Sequence, residues 1–360
     1  MVHSWAPGRI NLIGEHVDHS GGLVLPAAID RAIHMWLAPA ETGHVVINTT
    51  LDQTFDIDRG TGTGRPALHG LLLLMADRVR EIPPFRLLIE GDLPMGAGLS
   101  ASAAFSVAFL QALDAWLDIG LAPWDMVDLA RDVEVRFLGL ECGIMDPFIM
   151  VFAQHGAAQR LDCHTRIHHP VALPDDLEIV LIDSGVRHEL AASAYNERQA
   201  DGRLALSVLR SRGHDVPVLS AITPTMLDDL TGHVTDPVAR NARHVLTENQ
   251  RVRDMEDALT EGDLDRAGRL LTASHASLRD DYRVTCAETD ALATALTEVD
   301  GILGARQIGG GFGGSVLAIG SAPDAVIEDV CHRIADRFNV RPSRLAVAID
   351  GPAGAQRLAP

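Results

Sequence analysis

The sequence predicts a mixed α/β (α+β) protein built as two domains, and three observations carry that prediction. A chain of 360 residues is longer than one ordinary core organises, and a hydrophobic content of 47% is ample for more than one. Strand-like runs alternate with long amphipathic segments from end to end. A His- and Gly-rich stretch, 155–169, marks a change of composition and reads as the end of a first domain. This divides the chain at 1–168 and 169–360.

The elements follow in order. Residues 6–22 mix a strand alternation with four ionisable groups, Arg9, Glu15, His16 and Asp18, and a hairpin-like return follows at Gly21-Gly22 into the apolar run 23–29. Glu15, His16 and Asp18 suit several hydroxyls of a small polar ligand; the same types also suit a hard metal ion or a charged surface turn. Residues 45–47 and 53–57 read as strands, 68–80 as a helix and 85–89 as a strand. That strand leads into Leu93-Pro94-Met95-Gly96-Ala97-Gly98-Leu99-Ser100-Ala101-Ser102-Ala103-Ala104, which opens an apolar helix over 105–117. Glycines followed by hydroxyls at a helix N-terminus, where N–H groups are free, make a ready anion site. A Gly-rich turn before a buried helix explains the same letters.

An amphipathic helix is expected over 124–138, with Glu134 read as a solvated charge. Asp146 then stands among apolar residues just after Gly143. A buried carboxylate needs a partner, and Arg9 is the candidate; Asp146 could equally cap a helix starting near Pro147. Strands follow at 159–163 and 177–183, then a helix at 190–209 carrying Tyr195, which lines a pocket or packs in the core. Further helices are expected at 239–259, 263–278 and 286–299. Glycines crowd 309–314 directly before a strand, which lets two backbones, or a backbone and a ligand, come close. A helix at 324–338 and a strand at 344–349 close the chain.

Charge and composition remove several function classes. A net charge of −19 argues against nucleic acid or an anionic membrane as partner. No apolar run reaches the roughly 18 residues that would span a bilayer, and the start, Met1 to Pro7, is no secretion signal. Four scattered cysteines form no CxxC pair and read as thiols in a reducing, cytoplasmic setting. All 30 basic residues are arginine. A Walker-type P-loop with its lysine is therefore absent, and a phosphate site here relies on backbone N–H groups, hydroxyls, metal and arginine.

Three stretches together resemble the GHMP small-molecule kinases, and the first narrows the resemblance to the galactokinase family. Gly8-Arg9-Ile10-Asn11-Leu12-Ile13-Gly14-Glu15-His16-Val17-Asp18 resembles the galactokinase signature, 93–104 the ATP-binding motif, and 309–315 the third, glycine-rich motif. Cys142 to Asp146, Leu161 to Cys163, Tyr195 to Arg198 and Arg243 to Asn249 match in support. The resemblance implies an N-terminal ribosomal-protein-like α/β domain and a C-terminal ferredoxin-like domain, with the active site in the cleft between them.

It also implies phosphoryl transfer from ATP, with Mg2+, to the anomeric hydroxyl of galactose. Asp146 matches the catalytic aspartate and Arg9 its partner, which would keep Asp146 ionised for the hydroxyl to lose its proton. Glu15, His16 and Asp18 match the sugar-binding triad, with Gly143 and Tyr195 as further sugar contacts. Gly96, Ala97, Gly98, Leu99, Ser100, Ala101 and Ser102 match the ATP phosphate loop, and Ser102 and Glu134 the magnesium ligands. A sugar and ATP are the implied partners, with the chain a monomer or weak homodimer. Departures from the pattern concentrate at the sugar: His19 replaces a tyrosine, Ser20 an asparagine and Pro147 a glutamine. They leave open a 1-kinase for arabinose, galacturonate or an N-acetyl- or amino-hexose. A non-catalytic sugar and ATP sensor is the alternative of another class.

Overall fold

The computed structural model describes residues 1–50, 53–56, 65–76, 78–187 and 191–358. Its strands are β1 (Val2–Asn11), β2 (Leu23–Val24), β3 (Pro26–Pro39), β4 (His44–Asn48), β5 (Gln53–Asp56), β6 (Phe85–Gly91), β7 (Ala157–Asp162), β8 (His168–Ala172), β9 (Ile179–Asp183), β10 (Ile302–Ile308), β11 (Ser315–Gly320), β12 (Ser343–Leu345) and β13 (Gly354–Arg357). Its helices are α1 (Arg65–Met75), α2 (Ala101–Leu117), α3 (Pro123–Phe137), α4 (Met145–Phe152), α5 (Ala191–Ser211), α6 (Pro224–Thr231), α7 (Asp236–Glu261), α8 (Leu264–Ser277), α9 (Ala287–Thr297) and α10 (Asp324–Phe338).

The first sheet runs β13-β1-β3-β6-β4-β5. Its long hairpin, β1 with β3, slips register between Pro7 and Arg9. Gly8 sits at the slip because the loop before α2 lies on it: a Cβ there would meet Leu93 Cδ2 at 2.3 Å. Alternation along β1 buries Val2, Ser4 and Ala6 against α2, and Ser4 Oγ donates to Ala108 O at 2.8 Å. The second sheet, β10-β11-β9-β12, is antiparallel. One face packs Val180, Ile182 and Val316 on α9 and α10. The other face gives Leu181, Leu317 and Ile319 to the same core as Ile10, Leu25 and Phe109, so the two sheets share one apolar interior.

Helix α7 is what joins that interior to the polar loop after β1. Its buried face carries His244, Glu248 and Asn249. His244 Nε2 donates to Glu15 O (3.0 Å), Gly14 N–H donates to Glu248 Oε1 (3.0 Å), and Leu23 N–H donates to Asn249 Oδ1 (2.8 Å). Each bond satisfies a backbone group that the loop would otherwise bury unpaired.

Several expected elements differ. The helix expected over 68–80 ends at Met75, and the one expected from 105 starts at Ala101. Asp146 does not cap α4, which starts at Met145 without a side-chain cap, because its carboxylate is drawn to Arg9 instead. The expected boundary at 168/169 falls inside β8, and β13 returns from the chain's end to pair with β1. β8, β13 and the eight-residue α6 are short and partly polar, so periodicity did not reveal them. Ile57, Asp77 and Leu190, parts of expected elements, lie outside the described residues.

Glu248 gives the fold a pH dependence. Burial alone would raise its carboxyl, but Arg251, with His244 and Arg306, outweighs burial and brings it from 4.5 down to about 2. A depressed carboxyl stabilises the folded state above its unfolded value and loses that contribution as pH falls through its folded value. Glu248→Gln should therefore lower stability by about 3 kcal/mol at pH 7. In urea titrations at stepped pH, the gap to the parent protein should narrow as pH drops from 4.5 towards 2.

Candidate active site

A cleft of about 500 Å³ opens where the loop after β1, the N-terminus of α2, the start of α4 and the β10–β11 turn meet. Of the residues singled out in the sequence, Arg9, Glu15, His16, Asp18, Gly96, Gly98, Leu99, Ser100, Ala101, Ser102, Glu134, Gly143, Asp146 and Tyr195 line it. Ala97 does not: it is fully buried, and its carbonyl accepts from Ser315 Oγ at 2.7 Å.

Arg9 is the centre of the geometry. Its Nε donates to Asp146 Oδ1 at 2.8 Å and its Nη2 to Oδ2 at 3.2 Å, the bidentate fork that planar guanidinium favours. Nη1 donates to Gly98 O, and the Arg9 N–H to Leu99 O at 3.3 Å. Burial would lower the Arg9 pKa, but Asp146 and Glu15 outweigh it and hold the guanidinium above its ordinary range. Asp146 Oδ2 also accepts from the Ser100 hydroxyl. Ser100 reaches it because its backbone is left-handed, φ +61, which ends the loop and starts α2 there.

Glycines let the loop approach the β10–β11 turn. Gly98 has φ +76, and a Cβ on it would stand 3.0 Å from Ile308 O; a Cβ on Gly309 would meet Gly98 Cα at 2.8 Å. The turn's Gly309, Gly310, Gly311, Gly313 and Gly314 form one cleft wall. The first α2 N–H groups face the cleft without helical partners.

The polar end of the cleft is held from behind. Glu15 lines it, yet its oxygens are engaged: Asn11 Nδ2 donates to Oε2 (2.9 Å), Gly309 N–H to Oε1 (2.9 Å), and Arg306 Nη1 stands 3.3 Å from Oε1. Arg306, fully buried, also donates to the Asn11 and Leu12 carbonyls. His16, φ +60, has a buried Nε2 with no hydrogen-bond partner. Burial, with His19 and His244, pushes its pKa down to about 3, so the ring is neutral. Tyr195 and Tyr282, both of the chain's tyrosines, pack on that ring at 5.5 and 4.8 Å. Gly143 leaves room for Asp18: a Cβ there would lie 2.3 Å from Asp18 Oδ2.

Of the two readings of Glu134, a solvated charge or a magnesium ligand, the first does not hold. The residue is buried, 6% exposed, and not a solvated charge. Burial, with Asp146 nearby, pushes its pKa up to about 7 despite a hydrogen bond from Ser102, and its Oε1 has no partner. Two residues of the site carried no role in the sequence reading. Arg306 is one, and its signal was an arginine within the run Ile302 to Ile308, directly before the glycine turn. Arg187 is the other: its Nε donates to Met95 O (3.1 Å), its fork holds Asp183, and Gly96 packs on its Cδ.

Comparison with known proteins matches this geometry. Residues 3–39 match the galactokinase galactose-binding signature, 68–154 the GHMP kinases N terminal domain, and 255–336 the GHMP kinases C terminal domain. A galactokinase of Thermotoga neapolitana is 38% identical over 341 residues, which covers 93% of this chain and 94% of that protein. The chain belongs to the galactokinase family of the GHMP kinases. A galactokinase of Chloroflexus aggregans is 36% identical over 358 residues, 97% of this chain and 91% of that one. The crystal structure of Lactococcus lactis galactokinase complexed with galactose superposes with a TM-score of 0.90 at 32% identity, covering 98% of this chain and 94% of that chain. All four cysteines are free, and among the described residues no helix is long and apolar enough to cross a membrane.

Two glycines of this family member separate contact from flexibility. Gly98→Ala combines a left-handed φ with a backbone contact and should cost about 1–3 kcal/mol in urea titrations. Gly310→Ala meets nothing within 4 Å and should stay within about 0.5 kcal/mol of the parent.

Proposed function

We propose that this galactokinase-family enzyme transfers the γ-phosphoryl group of ATP to the anomeric hydroxyl of galactose, giving galactose 1-phosphate and ADP. The observation that carries the reading is the position of Asp146. It lines the same cleft as His16, Asp18 and the first turn of α2, accepts from the Ser100 hydroxyl just before that helix, and has Arg9 forked on it.

In this reading His16, Asp18, Gly143 and Tyr195 bind the sugar and Glu15 shapes its seat. Asp146 takes up the proton of the anomeric hydroxyl as that oxygen attacks phosphorus. Arg9 holds both Asp146 oxygens and the Gly98 carbonyl, so base and phosphate loop stay in register. The residues 96–102 direct N–H groups and hydroxyls at the phosphates, and charge that develops there meets a fixed positive field. Besides Arg9, Arg187 places a second guanidinium against the loop in a chain without lysine. A second cavity of about 280 Å³, lined by Ile33, Ile89, Met95 and Phe105 with Asn48 and Thr50, opens beside Ser102 and fits the purine.

Magnesium suits the donors present. Glu134 has a buried carboxylate oxygen with no partner, burial and the neighbouring Asp146 raise its pKa, and the Ser102 hydroxyl adjoins it. One carboxylate, one hydroxyl, water and phosphate oxygens form the hard set that magnesium takes. Bound there it would neutralise phosphate charge.

Three measurements check the reading. Asp146→Asn should lower kcat by about 10²–10⁴-fold while galactose still binds in calorimetry; a sensor would keep its response with no turnover to lose. Glu134→Gln should raise the magnesium concentration needed for half-maximal rate by at least about tenfold, with galactose binding retained. Across galactose, arabinose, galacturonate and hexosamines, ATP consumption should be fastest with galactose. Equal, negligible rates with every sugar would end the kinase reading.

A further inference from the structure

His19 stands where the family resemblance expects tyrosine, and its two ring nitrogens point to different residues. Nδ1 lies 3.3 Å from Asp18 Oδ1, and Nε2 lies 3.3 Å from the Tyr282 hydroxyl. Nδ1 is buried and makes no full hydrogen bond, and Asp18 Oδ1, 3.3 Å away, is the acceptor it faces. A neutral imidazole has one N–H, and the two contacts therefore set each other. Nδ1–H donates to Asp18, and Nε2 accepts the Tyr282 O–H.

Neither His19 nor Tyr282 lines the cleft, whereas Asp18 does. Tyr282 is 1% exposed and ends a single π-helical turn, Leu278–Tyr282, that continues α8. Its ring is wedged between His16 and His244 at 4.8 and 4.7 Å, so the hydroxyl has a fixed place. Asp18 Oδ1 is thus held from behind, while Oδ2 is the oxygen that faces Gly143.

We propose that His19 and Tyr282 are positioning residues for sugar recognition, a directed chain from Tyr282 O–H through the His19 ring to Asp18 Oδ1 that presents Oδ2 to a sugar hydroxyl. This rests on the reading of Asp18 as a sugar-binding residue. Burial would raise the Asp18 pKa, and hydrogen bonds from the His19 side chain and backbone oppose it and hold the carboxylate below its usual range. A tyrosine at position 19 would carry its one polar atom at the far end of the ring, away from the adjacent Asp18.

The test is steady-state kinetics with galactose and MgATP on Tyr282→Phe, His19→Asn, His19→Leu and the Tyr282→Phe/His19→Asn pair. Asparagine keeps an N–H in the place of Nδ1 and has nothing in the place of Nε2. Tyr282→Phe should raise the galactose KM about tenfold, with kcat and the ATP KM within about twofold. On the His19→Asn background the same change should alter the galactose KM by less than about twofold, because the link is already cut. His19→Leu should raise the galactose KM more than His19→Asn; this comparison carries the test if Tyr282→Phe does not fold. An unchanged galactose KM in Tyr282→Phe, or effects that multiply in the double variant, would overturn the proposal. If the parent protein phosphorylates no sugar, the functional reading fails and the positioning claim is not the cause.

Discussion

The Arg9 guanidinium, buried and shared between the Asp146 carboxylate and the Gly98 carbonyl, is the contact on which the site depends. It joins three pieces of chain that are far apart in sequence: β1, the loop before α2, and the start of α4. A cation at 3% exposure is tolerable only with such partners, and each partner is in turn held where the cation needs it. Under the proposed function, the proton acceptor and the phosphate loop are therefore placed by one side chain. In that reading a chain without lysine keeps its phosphate site in register with its base.

A second constraint comes from backbone meeting backbone. Gly98 and Gly309 touch with no room for side chains, and Gly309 N–H reaches Glu15. Glu15 is thereby tied to the turn that walls the phosphate end, and Arg306 neutralises it from below. The ends of the cleft that the proposed function assigns to sugar and phosphate share these groups. Helix α7 anchors the assembly through His244, Glu248 and Asn249, which occupy the polar backbone groups of the loop after β1.

Much of this was legible from residues alone. The Arg9–Asp146 pair follows from the cost of an isolated buried carboxylate, α2 follows from its apolar run after the glycine loop, and α3 and α7 follow from amphipathic patterning. Local letters could not show that Glu15 would be saturated by Arg306 and Gly309, because those partners lie almost three hundred residues away. Glu134 looked like a solvated charge because helix periodicity does not report what covers the polar face; here that cover is the cleft itself. The early start of α2 depends on Ser100 taking a left-handed backbone to reach Asp146, a tertiary demand that propensity does not contain. β13 was missed for a similar reason: a short, half-exposed edge strand takes its conformation from β1 rather than from its own sequence.

In the proposed function the cleft joins ATP to the anomeric oxygen of a sugar, with Asp146 at the junction. Phosphorus NMR of a reaction with galactose and MgATP tests this directly. One new phosphate-ester signal, coupled to the anomeric proton, should grow as the ATP γ-signal disappears. A signal coupled to the C6 protons, or inorganic phosphate alone, would contradict it.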